Sequence, residues 1–239
     1  MRQRCMDAAR EGRRMRCNMR RFGASVALGA ALFGLSALSV ADEFAANARL
    51  LASVRNADAV GIERALRDGA AVDAHNRLGE SALLVALKKN RADLAQVLLA
   101  AGANVNEPAV NGVTPLMTAA YNGDLETTRV LLARGANPAA VDRIGKNAIT
   151  YAAGEGHTEV VRVLLENGVD PNGVYRNNLT ALMWAAGYGH ADTARALISA
   201  GARVDLVDNR GKSALDMARD YKHAETVEVL EQALRAARH

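Results

Sequence analysis

Five glycines, Gly69, Gly102, Gly135, Gly168 and Gly201, stand 33 residues apart, and that period constrains the fold more than any other feature of the chain. A second ladder runs in register with the first: Gly79, Gly112, Gly145, Asn178 and Gly211 also step by 33, and Asn is the other common residue that tolerates a left-handed backbone. Self-similarity at this interval predicts a stack of supersecondary units, each burying its apolar face only against its neighbours. Of the 239 residues, 50% are hydrophobic and only 4% aromatic, so the core rests on many small aliphatic contacts. Close-packed short helices suit that composition and a sandwich or barrel does not, so the fold class is read as all-α.

Within each unit the residues spell helix, turn, helix and turned loop. Thr114-Pro115-Leu116 places a hydroxyl at an N-cap and a proline at the first helical position, where its missing N–H is harmless. Ser81, Thr180 and Ser213 occupy the same column and Asn147 replaces them in the fourth unit. Small residues follow at Ala86, Ala119-Ala120, Ala152-Ala153, Ala185-Ala186 and Ala218, letting neighbouring helices approach closely. A turn at Gly123, Gly156 and Gly189 leads to a second helix with Asp93, Glu126, Glu159, Asp192 and Glu225 in its first turn, where carboxylates complement the helix dipole. Leu98-Leu99, Leu131-Leu132, Leu164-Leu165 and Leu197-Ile198 close the core, and the glycines at 69 to 201 end the helix in a left-handed cap. Asn104-Val105-Asn106 and Asp170-Pro171-Asn172 read as turned loops.

Gly112-Val113-Thr114-Pro115-Leu116-Met117-Thr118-Ala119-Ala120 and Val130-Leu131-Leu132-Ala133-Arg134-Gly135-Ala136-Asn137 give the chain its clearest resemblance, to ankyrin-repeat proteins, over about residues 44 to 239. The resemblance implies a solenoid of about six helix-turn-helix units joined by β-turn loops. With the leader described below, it is similar to exported bacterial proteins of that kind. The departure lies where the family places a helix-starting His: Leu84, Met117, Thr150, Met183 and Asp216 stand there. The usual His-mediated bond between repeats is then expected to give way to apolar packing. The expected organisation is an N-terminal capping repeat over 42–79, four internal repeats over 80–211 and a C-terminal capping repeat over 212–239. Both ends become more polar, as repeats facing water on one side must.

The formal net charge of +4 is localised at one end. Residues 1–21 hold eight Arg against Asp7 and Glu11, and residues 22–41 hold no charge. Setting those eight basic and two acidic residues aside from the 30 and 26 leaves 22 against 24, a charge of −2, so a nucleic-acid partner is not expected. Residues 1–41 instead read as a signal peptide, with an n-region at 1–21, an h-region at 22–38 and cleavage after Ala41 in Ser39-Val40-Ala41. The alternative is an uncleaved membrane anchor, since roughly 20 apolar residues span a bilayer; the many Gly, Ala and Ser favour cleavage. Met19-Arg20-Arg21 offers a second start and a twin-arginine pair, although no cofactor requiring folded export is evident downstream. Cys5 and Cys17 both fall in this leader, so the exported chain is expected to lack thiols and to be a periplasmic or secreted monomer.

No enzyme signature emerges. His157, His190 and His223 recur at 33 residues, but equivalent atoms of stacked helices lie about 8 to 10 Å apart and ligands to one zinc sit at about 2 Å. Metal and cofactor sites are therefore not expected, and Gly154-Glu155-Gly156-His157 lacks the strand that a phosphate loop follows. The candidate binding residues lie where the repeat leaves a position free. Phe44 aside, every aromatic beyond the leader occupies such a column: Tyr121, Tyr151, Tyr175, Trp184, Tyr188 and Tyr221. Arg143 and Arg176 add donors at loop tips, as do Arg77 and Arg210. The resemblance implies that first helices and loop tips line a concave groove, and Tyr, Trp and Arg dominate interface energetics. The expected function is a non-enzymatic scaffold that binds a protein partner there; a membrane-anchored or host-directed factor acting in another compartment is the alternative.

Overall fold

The computed structural model describes residues 41–237, and from Ala45 onward the chain is one compact unit. Residues 1–40 of the expected signal peptide (1–41), with Cys5 and Cys17, lie outside the described residues, as do Arg238 and His239.

Helices account for the described architecture. Residues 41–55 form α1. There follow α2 (Ala59–Arg67), α3 (Ala82–Lys88), α4 (Ala92–Ala100), α5 (Pro115–Asn122), α6 (Leu125–Ala133), α7 (Ala148–Glu155) and α8 (Thr158–Glu166). A 3-10 turn (Arg176–Asn178) leads into α9 (Ala181–Tyr188), α10 (Ala191–Ser199), α11 (Ala214–Asp220) and α12 (Ala224–Ala236). No strand occurs among the described residues, only isolated antiparallel bridges between His75 and Ser81 and between Val207 and Ser213. First helices α3, α5, α7, α9 and α11 pack side by side in one layer, and α2, α4, α6, α8, α10 and α12 in another. The result is an all-α solenoid.

Local chemistry starts each first helix. The side chains of Ser81, Thr114, Asn147, Thr180 and Ser213 accept the backbone N–H of the third helical residue at 3.1 to 3.3 Å. That residue often answers: Thr150 Oγ1 accepts the Asn147 N–H at 2.9 Å, Asp216 Oδ2 that of Ser213 at 3.0 Å and Met117 Sδ that of Thr114 at 3.4 Å. The column where apolar packing was expected is therefore apolar at Leu84 and Met183, while at Thr150 and Asp216 it closes a capping box.

The second helices end as their glycines demand. Gly69, Gly102, Gly135, Gly168 and Gly201 have φ of +82° to +92°. The N–H of the next residue returns to a carbonyl five residues back, as Ala136 N does to Leu131 O at 2.9 Å. Between the layers lie fully buried alanines at 86, 119, 120, 152, 153, 185, 186 and 218, with Leu98, Leu131, Leu164 and Leu197 beneath them. Each such leucine contributes roughly 1.5–3 kcal/mol relative to exposure.

The Asn and Asp of the loops tie one unit to the next. Asn106 accepts the Asn137 N–H at 2.8 Å and donates its amide to Gly135 O at 2.9 Å; Asn172 does the same to Arg203 and Gly201. Histidine supplies a further tie that the sequence reading did not expect. His157, His190 and His223 cap second helices without a side-chain bond to their own helix, and Nε2 of each lies 2.9, 2.9 and 3.1 Å from the carbonyls of Tyr121, Gly154 and Gly187 in the preceding unit. A carbonyl only accepts, so Nε2 carries the proton. The helix-starting column holds no histidine, and these three, in another column, bond one repeat to the next instead.

Candidate interaction groove

The free columns of the first helices converge on one face. Tyr121 and Tyr151 meet edge to face with ring centroids 6.0 Å apart, and Trp184 and Tyr188, one helical turn apart on α9, stack at 6.0 Å with planes 10° off parallel. Gly154 faces that pair: a Cβ on it would lie in ordinary contact, 3.8 Å from the Trp184 ring and 4.0 Å from Tyr188. Tyr188 also stacks on His190, and Tyr221 on His223. Tyr188 is 58% exposed, Tyr221 67% and Tyr121 49%, whereas Tyr151 and Trp184 are half-buried against the core.

A lysine that the sequence reading passed over joins the aromatic row. The Lys146 ammonium lies 3.7 Å from the Trp184 ring centroid and 5.2 Å from that of Tyr151. Cation–π attraction at such distances holds an ammonium without a carboxylate. Burial pushes the Lys146 pKa down, and the nearby Asp142 and Glu155 act against that shift. The Tyr151 hydroxyl donates to Asp142 Oδ2 at 2.6 Å, and burial together with that carboxylate raises its pKa far above the ordinary phenol range. The sequence signal for Lys146 was its column, just before the N-cap, where Val113 and Leu179 are the equivalents in flanking units.

Tyr175, also selected from the sequence, lies in a loop and is half-buried. It stands in the column held elsewhere by Asn76, Asp142 and Asp208, whose Oδ1 atoms accept the N–H groups two and four residues on. Tyrosine cannot form that turn, so the fifth unit uses left-handed Asn177 and Asn178 at φ +62° and +58°. The Tyr175 ring folds onto the core and its hydroxyl accepts the Asn147 amide at 2.7 Å. Arg176 beside it is exposed, as is Arg143.

Clefts run the length of this face. One of about 490 Å³ lies between α9 and α11, where Trp184, Tyr188, Met183, Met217, Tyr221 and Arg210 line it and Gly187 leaves its floor open. One of about 230 Å³, lined by Lys146, Tyr175 and Arg176, shares Leu179 and Trp184 with it. One of about 250 Å³ includes Tyr121 and Tyr151, and another of about 250 Å³ holds Arg143 and shares Lys88 with it. Tyr175, Arg176, Trp184, Tyr188 and Tyr221 thus line the first two adjoining clefts, and Arg143, Tyr121 and Tyr151 the other two. Among the described residues no group of three or more His, Cys, Asp or Glu could hold a metal ion.

A family model described as Ankyrin repeats (3 copies) matches residues 50–142, 101–175 and 171–234. No curated protein matches the chain. Repeats of this type are generally protein–protein interaction modules, and proteins built from them are typically non-enzymatic scaffolds. With helix pairs repeating every 33 residues and a family match spanning most of its length, the chain belongs to the ankyrin-repeat family.

Proposed function

We propose that the protein is a non-enzymatic scaffold, exported to the periplasm, that grips a protein partner in the groove formed by its first helices and loop tips. The observation carrying this reading is the set Tyr121, Tyr151, Trp184, Tyr188 and Tyr221 lining clefts of the first helices, three of its members exposed. Large apolar surface left to solvent on one face of a chain otherwise poor in aromatics is what an interface supplies and a solvated surface avoids. Arg143 and Arg176 add donors at the groove's rim, and Tyr175 shapes its wall. Export rests on the basic stretch, apolar stretch and Ser39-Val40-Ala41 at the amino terminus.

Affinity capture from periplasmic extract with the chain from Asp42 onward, read by mass spectrometry, tests the function. A partner recovered by the parent and lost on Tyr188→Ala supports it; equal recovery by both contradicts it. Amino-terminal sequencing of the fractionated protein tests the location. Asp42 as first residue in the periplasm is expected, and an uncleaved chain in the membrane fraction would favour an anchored factor instead.

A further inference from the structure

Three cations at the tips of the fourth and fifth units, Arg143, Lys146 and Arg176, have no ion-pair partner among the described residues. Their neighbours along the groove do: Lys88 meets Glu80 at 2.5 Å, Arg210 meets Asp208 at 2.8 Å and Lys212 meets Asp220. Two acids act on Lys146 without pairing with it, Asp142 and Glu155, and Asp142 is already committed. It is buried, Oδ1 accepts the N–H groups of Ile144 and Lys146, and Oδ2 accepts the Tyr151 hydroxyl. Lys146 is thus a half-buried ammonium held in place by two aromatic faces.

The frame beneath these cations is braced. Arg143 N donates to Asn111 O at 3.0 Å and Arg176 N to Gly145 O at 3.5 Å. Gly145, at φ +73°, admits the next tip so closely that a Cβ there would lie 2.7 Å from Arg176 Cβ. Aliphatic side chains surround the tips, with Ile144 51% and Val141 54% exposed. Fixed positive charge beside exposed aliphatic surface, on a chain of net −2 beyond residue 41, is complementary to an acidic peptide containing apolar side chains. A nucleic acid would match the charge and leave the aliphatics unused.

We propose that this part of the groove takes an acidic segment of the partner, carboxylates pairing with Lys146 and Arg176 at the 230 Å³ cleft and with Arg143 at the neighbouring tip, while an apolar side chain enters that cleft against Trp184. The inference rests on the protein-binding reading above and adds the partner's chemistry to it.

The test is selection of a random displayed peptide library on the chain from Asp42 onward, then titration of the enriched peptides. Trp184 is the sole tryptophan, so its emission reports the site directly. Expected are sequences enriched in Asp and Glu that shift Trp184 emission, bind about tenfold or more weakly to Lys146→Gln, and weaken with salt. Because Lys146→Gln also removes a cation–π contact, the exposed Arg143→Gln/Arg176→Gln pair serves as the second variant, with the same direction expected. Neutral peptides that require Tyr188 yet bind Lys146→Gln and the paired variant as well as the parent would overturn this inference and leave the protein-binding groove standing. Recovery of no Tyr188-dependent peptide would overturn both, and tighter binding of a single-stranded oligonucleotide than of any acidic peptide would overturn the choice of partner.

Discussion

The imidazole of His190 occupies the space that a side chain on Gly156 would need: a Cβ built on Gly156 would lie 2.5 Å from His190 Nδ1, while Nε2 of the same ring bonds Gly154 O at 2.9 Å. Gly123 with His157 and Gly189 with His223 repeat the arrangement at 2.5 Å. Each glycine is required twice, once by its left-handed φ of +70° to +81° and once by the histidine 34 residues on. Where no histidine follows, the column relaxes: Asn90 precedes a unit with Asp124 at the histidine's place, and Lys222 ends the series.

Two glycine substitutions therefore separate the two requirements. Gly135→Ala meets only the backbone penalty, about 1–2 kcal/mol, because nothing lies within 4 Å of its would-be Cβ. Gly156→Ala should cost roughly 1–3 kcal/mol more, since the ring must move and the Gly154 carbonyl loses its donor. His190→Ala should shrink that excess in a double-mutant cycle measured by denaturant unfolding. Equal costs at Gly135 and Gly156 would contradict the pairing.

Tyr175→Phe should destabilise by about 1 kcal/mol, because the Asn147 amide loses its acceptor in a half-buried setting. Partner capture should be unchanged after correction for folding, which distinguishes this residue's wall-building role from that of Tyr188. A loss of capture with unchanged melting would make Tyr175 an anchor in its own right.

How much of this was legible in sequence depends on how far apart the interacting residues are. Ser81, Thr114, Asn147, Thr180 and Ser213 bond three residues on, and the glycines at 69 to 201 act on their own helix, so repeat spacing alone exposed them. The role of His157 was hidden because its acceptor, Tyr121 O, is 36 residues back on the backbone of another unit. The packing of Tyr175 was hidden because its hydroxyl meets Asn147, 28 residues back, and only the fold shows where its ring goes. Lys146 was missed because its partners are the faces of two rings, and Trp184 lies a full unit away. The aromatic row itself was visible as the set of residues that the repeat does not need.

Among the described residues two buried hydroxyls have no partner. Thr226 Oγ1 in α12 and Thr127 Oγ1 in α6 lack a hydrogen bond, whereas Thr193 Oγ1, in the same column, meets Thr158 Oγ1 at 2.8 Å. Valine matches the shape without the hydroxyl, so Thr226→Val should stabilise by about 1 kcal/mol and Thr193→Val should destabilise. Denaturant midpoints read the sign; a lower midpoint for Thr226→Val would show that the hydroxyl is satisfied in solution.

Asp208 sets an acid limb. Burial raises its pKa, but the N–H groups of Lys212 and Arg210 and the Arg210 guanidinium outweigh it and hold the carboxyl below the ordinary 3.8. A folded-state pKa below the unfolded one gives stability that is present above pH 3.8 and lost as pH falls through the lower folded value. Asp208→Asn keeps the turn acceptor, as Asn76 does at the equivalent place, so its stability should fall less steeply below about pH 4. Parallel acid-unfolding curves would assign that limb to other carboxylates.

The central claim is that the aromatic row is where a protein partner binds, and partner recovery by the Tyr188→Ala/Tyr221→Ala variant tests it most directly. Both rings are exposed, at 58% and 67%, so the melting curve should stay with the parent's. Recovery of the partner from periplasmic extract should weaken by about 2 kcal/mol, roughly thirtyfold in affinity. Full recovery by a fully folded variant would contradict the account.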